Sequence, residues 1–210
     1  MRIAIITEIS SSTRNADVIN AIQSVKEVEV LNVGMKNPDE QPLLTYIHTG
    51  YMSALLLYAG VCDFVVGGCG TGQGYFNTVL QFPDVACGLI IDPVDAWLFS
   101  QINGGNCISL PFNKGYGWAA DINLKYIFEK LFLDPVGQGF PPHRAESQAN
   151  SRAILKRLSK ISHKSVMEIL RESDRDILQT ISRQDAFMGF MEKGNADSGL
   201  ILEFLRSARN

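Results

Sequence analysis

The 210-residue chain is poor in several things at once. Its three histidines, His48, His143 and His163, are dispersed, and none pairs with another ligand at metal-binding spacing, so no metal is expected. Its four cysteines, Cys62, Cys69, Cys87 and Cys107, include no C-x-x-C pair and are too few for a secreted scaffold, so reduced thiols in a cytoplasm are expected. No apolar run approaches the ~18 residues of a membrane span. The start, Met1–Glu8, is too short and too soon charged for a signal peptide and reads as a strand. The net charge of −3 excludes a general nucleic-acid binder. What remains, with 46% apolar residues, is a chain able to build one large core and expected to meet a small molecule rather than a membrane or a nucleic acid.

The averages hide two segments. Residues 1–139 hold 7 Lys+Arg against 13 Asp+Glu, while residues 140–210 hold 12 against 9. Fifteen of the 18 glycines, all six tyrosines and both tryptophans lie in the first segment. The stretch Gly137-Gln-Gly-Phe-Pro-Pro142 marks the boundary. The expectation is a Gly-rich α/β domain over 1–139 and a basic, all-helical extension over 140–210.

In the first segment, apolar runs at Arg2–Thr7, Val28–Val33, Phe64–Gly68, Ala86–Ile91 and Asn106–Pro111 are continuous rather than alternating. Strands buried on both faces read that way. Helical patterns follow at Asn15–Val25, Thr45–Ala59, Gly74–Gln81, Pro93–Ile102 and Gly117–Phe132. Five strand-then-helix units predict a parallel sheet, with ligands at the carboxyl ends of its strands. The extension reads as helices only: Ser165-Val-Met-Glu168 is a capping box, and Asp174 is placed to cap a helix Arg175–Glu192 ended by Gly194. Its apolar stripes suit packing or dimerisation.

The most informative stretch is Val65-Val-Gly-Gly-Cys-Gly-Thr-Gly-Gln-Gly74. A strand enters a glycine turn and leaves as a helix, which places free backbone N–H groups where an anion can bind. No Lys follows, so it is not the nucleotide P-loop, and it trails the third strand, not the first, unlike a dinucleotide fingerprint. A thiol in such a turn has its anionic form favoured. It suits attack on an acyl carbon, or abstraction of a proton next to a carbonyl while N–H groups hold the enediolate oxygen. The plainer alternative is that Cys69 is a small buried residue at a strand end.

The ordered set Gly68-Cys-Gly-Thr-Gly-Gln-Gly74, Phe82-Pro83, Asp92-Pro-Val-Asp-Ala-Trp-Leu-Phe-Ser-Gln101 and Asn103-Gly-Gly-Asn106 resembles the ribose-5-phosphate isomerase B / galactose-6-phosphate isomerase family over residues 1–145. The resemblance implies a doubly wound, Rossmann-like five-stranded parallel sheet with helices on both faces. It implies a homodimer with sites between subunits, no cofactor, and aldose–ketose isomerisation of a phosphorylated sugar through a cis-enediol. Carried over by position, Cys69 is the base, Thr71 and the N–H groups of Gly70, Gly72 and Gly74 hold oxyanion charge, Asn103 binds a sugar hydroxyl, and Tyr46 matches a site tyrosine. Family members that use a loop Glu as base have no counterpart here, because that position is Gln73.

The departures are specific. The family's first strand ends in Asp-His; here Thr7-Glu8-Ile9-Ser10 leaves Glu8 for the Asp and no His. The family's ring-opening His is Ile102, and its Asn-Lys after the glycine-loop helix is Leu80-Gln81. Either Glu8 or His143 opens the ring, or the substrate never closes one, as for a tetrose 4-phosphate. Ser10-Ser-Ser-Thr-Arg14 is either a polar turn capping the first helix or a substrate-touching loop with Arg14. Because the family takes phosphate-binding arginines from the start of the extension, Arg144, Arg152 and His143 are candidate phosphate ligands, against the reading of a solvated helix start. His48 and His163 read as structural. A silent sugar-phosphate-binding regulator and a nucleotide- or flavin-binding α/β protein are the alternatives.

Overall fold

The computed structural model describes residues 1–209. Five parallel strands form at β1 (Arg2–Ile6), β2 (Glu29–Asn32), β3 (Phe64–Cys69), β4 (Cys87–Leu89) and β5 (Cys107–Pro111). Their order across the sheet is β2-β1-β3-β5-β4. Every residue of β3 is buried, which explains its unbroken apolar run. The helices α1 (Asn15–Ile22), α2 (Tyr46–Tyr58), α3 (Gln73–Val79), α4 (Pro93–Leu98) and α5 (Ala120–Leu131) alternate with the strands. Ala4, Ile6 and Val65 pack with Met52, Leu55 and Tyr75 of α2 and α3 on one face. Ile3, Ile5, Val66 and Ile108 pack with Val18, Ala96 and Phe128 of α1, α4 and α5 on the other. The sheet is therefore doubly wound, as the resemblance implies.

β1 pairs with β2 on one side and β3 on the other, so the chain reverses its direction of travel across the sheet at the β1–β3 junction. Open α/β sheets place their crevice at such a junction, outside the carboxyl ends of the strands. There the chain presents Thr7–Arg14 after β1 and Gly70–Gly72 after β3. β5 lies against β3 in register, Cys69 opposite Pro111, and adds Phe112–Tyr116 to the same rim.

The expected helix Pro93–Ile102 changes pitch. α4 stops at Leu98 and a π-helical turn, Phe99–Asn103, carries the chain to Gly104, whose left-handed conformation ends it. The extension comprises α6 (Ala145–Ser162), α7 (Val166–Glu172), α8 (Arg175–Ser182), α9 (Asp185–Met191) and α10 (Ala196–Ala208). The single helix Arg175–Glu192 is thus two. Gln184 is extended and its side chain accepts from the Phe187 N–H at 3.0 Å, which restarts the helix. The break lets Ile181 and Phe187 both reach the core around α2. The Ser165–Glu168 capping box forms as expected, whereas Asp174 makes no side-chain cap. Leu170, Ile181, Phe187 and Ile201 of α7–α10 join the same apolar cluster as Leu55 and Leu56 of α2. By contrast α6 buries none of its residues.

Candidate active site

β3 runs to Cys69 and turns immediately. The carbonyl of Cys69 accepts from the Gly72 N–H at 3.2 Å and from the Phe112 N–H at 3.1 Å, closing the turn onto the loop after β5. Gly72 begins α3 at φ 75°, a left-handed conformation that suits glycine. Ser109 of β5 donates to the Gly72 carbonyl at 2.6 Å from beneath. These bonds fix the thiol at the head of the turn, where Cys69 keeps 5% of its surface exposed. Thr71 is exposed on the outer side of the turn.

A hydrogen-bond relay ties the loop after β1 to the glycine turn. The Gly70 N–H donates to Ser10 Oγ at 3.0 Å, and the Ser10 hydroxyl donates to the Glu8 carboxylate. The second Glu8 oxygen accepts from the Ser10 N–H at 3.1 Å. Glu8 is 3% exposed. It therefore stands behind Ser10 and orders the loop, instead of facing a ligand directly as its candidacy supposed. The loop after β5 closes the third side: Asn113 Nδ2 donates to the Ser10 carbonyl at 2.8 Å, and the Asn113 and Lys114 N–H groups donate to the Gly70 carbonyl at 2.9 and 3.1 Å. Ser109, Asn113, Lys114 and Tyr116 were not singled out from the sequence. Their signal was position within or just after a buried strand, which means something only once β5 is known to neighbour β3.

Arg14 closes the 3-10 turn Ser12–Arg14. Its guanidinium carbon lies 4.3 Å from the centre of the Tyr116 ring. Tyr116 donates to Asp17 Oδ2 at 2.8 Å. Burial, with that hydrogen bond to Asp17, raises the phenol's pKa well above its ordinary value, so it stays neutral and donating.

The remaining candidates are placed differently. Tyr46, at the start of α2, lies with its ring against Gly74, where an added Cβ would be 3.0 Å from it. Tyr46 and Gly74 together line a cleft of about 510 Å³ with Tyr51, Gln81, Phe82 and Ile169, on the outer side of α3. Asn103 is exposed and lines a recess of about 310 Å³ beside β4 with Phe76, Leu89 and Asp95. His143 and Arg144 are exposed, Arg144 Nε donating to Ser147 Oγ at 3.3 Å. Arg152 is a structural clamp: its Nη1 donates to the Ile102 carbonyl at 2.9 Å and its Nη2 to the Gly137 carbonyl at 2.8 Å. Its two terminal nitrogens are thus engaged with carbonyls of the π-helical turn and of the loop after α5, which corrects its candidacy as a phosphate ligand. Among the described residues, no hydrogen bond joins Asn103, His143, Arg144 or Arg152 to the glycine turn of their own chain.

His48 and His163 are structural. His48 Nδ1 accepts from the Thr45 N–H at 2.9 Å in a capping box at the start of α2, and burial lowers its pKa. His163 Nε2 bonds the Leu80 carbonyl at 3.1 Å and ties α6 to the end of α3. Burial pushes the Cys62 thiol up to about 12 and raises Cys87 further, so both remain protonated thiols near neutral pH. Among the described residues, no group of three or more His, Cys, Asp or Glu is placed to hold a metal ion, and no helix is long and apolar enough to cross a membrane.

A family model described as Ribose/Galactose Isomerase matches residues 3–132. The chain is similar to the crystal structure of a 4-deoxy-L-threo-5-hexosulose-uronate ketol-isomerase complexed with a tartrate, at 39% identity over 99% of each chain and TM-score 0.94. It is similar to a ribose-5-phosphate isomerase from Vibrio parahaemolyticus at 40% identity, again over 99% of each chain, with TM-score 0.93. The Clostridium thermocellum ribose-5-phosphate isomerase B shares the fold at 17% identity and TM-score 0.62, over 77% of this chain and 99% of its own. No curated protein matches.

Proposed function

The chain belongs to the ribose/galactose isomerase family and is a sugar aldose–ketose isomerase, and we propose that it acts on an open-chain sugar acid through a cis-enediol, with Cys69 as the base. The observation that carries this reading is a thiol in a glycine turn with no ring-opening group at position 102.

The chemistry needs two things. A base must take the proton from C2 of the aldose and return one to C1. Donors must hold the charge that develops on O1 as the C1–C2 double bond forms. Cys69 supplies the first. The N–H groups of Thr71 and Gly74, with the Thr71 hydroxyl, supply the second, whereas the N–H groups of Gly70 and Gly72, expected among these donors, are taken by Ser10 Oγ and the Cys69 carbonyl. As the proton returns to C1, a proton passes from O2 to O1, and no oxidant or reductant is consumed.

An aldopentose or aldohexose phosphate that cyclises must be opened first, which is work for a histidine near neutral pH. Ile102 cannot do it, and its carbonyl is held by Arg152. The substrate named for one full-length relative explains how such an enzyme manages. A 4-deoxy sugar has no hydroxyl to close a five-membered ring on C1, and a ketone at C5 removes the hydroxyl that would close a six-membered one. Such a compound stays open, and its negative charge is a carboxylate. A phosphorylated sugar, the substrate expected from the sequence, remains the second reading, favoured by the full-length relative named as a ribose-5-phosphate isomerase.

Turnover of a 4-deoxy-5-keto-hexuronate is therefore expected to exceed that of ribose 5-phosphate by at least tenfold in kcat/KM. Equal or better turnover of ribose 5-phosphate would establish the second reading and place ring opening on another residue.

A homodimer belongs to the same proposal. α6 carries Ile154, Leu155, Leu158 and Ile161 exposed at helical spacing, a continuous apolar face of the kind that association buries. The exposed Asn103, His143 and Arg144 are then free to serve a neighbouring subunit. Light scattering is expected to give twice the 23.2 kDa chain mass. Leu158→Glu is expected to convert it to a monomer, and a wild-type monomer with full activity would refute the assignment.

A further inference from the structure

Arg14 stands out for what it lacks. Its Nε is excluded from solvent and has no hydrogen-bond partner, and no other buried side-chain nitrogen or oxygen among the described residues is left so. No carboxylate lies within ion-pair distance of its guanidinium among those residues. The acid built beside it, Asp17, is engaged by the Tyr116 hydroxyl at 2.8 Å. Arg14 is half-buried, and a buried N–H left unpaired is costly, because its lost hydration is not replaced. Chains retain such a group where something else completes it.

The surroundings say what that is. Tyr116 provides an aromatic surface 4.3 Å from the guanidinium carbon, which holds the side chain by cation–π attraction without neutralising it. Asn113, on the same loop, is bonded to Ser10 and to Gly70. Arg14 thus stands on the rim formed by the three loops that carry the Cys69 turn. A guanidinium fork matches a carboxylate through two parallel N–H···O bonds. Of the cations expected at a phosphate, Arg152 is held by backbone carbonyls, and Arg144 is exposed with no hydrogen bond to the glycine turn of its own chain.

We propose that Arg14, held over Tyr116, is the residue that takes the terminal carboxylate of the substrate and so sets the preference for an open-chain sugar acid. The assignment rests on the isomerase reading above and adds to it the group that anchors the far end of the molecule while C1 and C2 lie under Cys69. Because the carboxylate is bound alike before and during proton transfer, its loss acts on KM and leaves kcat nearly unchanged.

The test uses tartrate, a diol flanked by two carboxylates, as a calorimetric probe, with inorganic phosphate as the competing anion. Tartrate is expected to bind the wild type, and Arg14→Ala to weaken it about tenfold to hundredfold, the range for a charge-assisted hydrogen bond. Arg14→Lys is expected to recover part of the loss, since it restores charge but not the fork. With the hexuronate, Arg14→Ala is expected to raise KM tenfold or more while kcat stays within about threefold. Unchanged tartrate affinity and KM in Arg14→Ala would overturn the proposal, as would no tartrate binding by the wild type. Loss of phosphate binding with tartrate binding intact would overturn the carboxylate assignment. If the wild type binds tartrate through Arg14 but exchanges no substrate proton, the isomerase mechanism fails and the anion site stands. If protons exchange and Arg14→Ala is silent, the reverse holds.

Discussion

Cys69→Ala is expected to fold normally and to lose isomerase turnover by about 10²–10⁴-fold, the usual cost of removing a general base. The fold should survive because the turn is held by backbone: the Cys69 carbonyl bonds Gly72 and Phe112, and neither bond uses the thiol. A methyl group fills most of the same space. The loss should fall on kcat, since the base acts on the reacting carbon and contributes little to ground-state binding. The other thiols provide the internal control. Cys107 is fully buried, and burial raises the pKa of Cys62 and of the half-buried Cys87, so their reactive thiolates are scarce near neutral pH. Iodoacetamide is accordingly expected to inactivate the enzyme by alkylating Cys69 first, with substrate protecting it. Full activity in Cys69→Ala, or inactivation tracked to Cys62 or Cys87, would remove Cys69 from the chemistry.

Gly68→Ala is expected to be among the most damaging single methyls in the domain. A Cβ at Gly68 would stand 2.9 Å from the Leu110 N and 2.8 Å from Phe112 Cε2, and closer still to the Leu110 carbonyl oxygen. Two of these are backbone atoms of β5, which cannot turn aside as a side chain can. β3 lies between β1 and β5, so moving it breaks a ladder at the centre of the sheet. Overpacking of this kind costs about 3 kcal/mol or more. In a chain of this size that lowers the melting temperature by roughly 6–12 °C. It should also displace the Cys69 turn and abolish activity in whatever protein folds. Calorimetry decides it: an unchanged melting temperature would mean that the strands part more easily than their packing indicates.

The two predictions mark where the sequence was legible. The glycine turn could be read because Gly67, Gly68, Gly70, Gly72 and Gly74 alternate with or adjoin Cys69 in a single uninterrupted stretch, and backbone demands of that kind are written locally. The five strands could be read because burial on both faces leaves unbroken apolar runs. Strand order could not. Chain order says nothing about β5 lying between β3 and β4, so Ser109, Asn113, Lys114 and Tyr116 could not be assigned to the site. Arg152 was misread for a related reason: a basic residue on an exposed helix looks like a ligand until its acceptors, the carbonyls of Ile102 and Gly137, are seen. The break between α8 and α9 was hidden because Arg183 and Gln184 are ordinary helix formers, and only tertiary packing of Ile181 and Phe187 favours the interruption. Glu8 was identified as important from its position after β1, but its part in the relay through Ser10 to Gly70 needed coordinates.

The most direct test of the account follows the proton itself. The wild-type enzyme and an open-chain 4-deoxy-5-keto-hexuronate are mixed in deuterium oxide and followed by nuclear magnetic resonance. The account predicts deuterium at C1 of the ketose formed and at C2 of the aldose that remains, both abolished in Cys69→Ala, which lacks the exchanging thiol. Equal exchange and turnover by Cys69→Ala would contradict it.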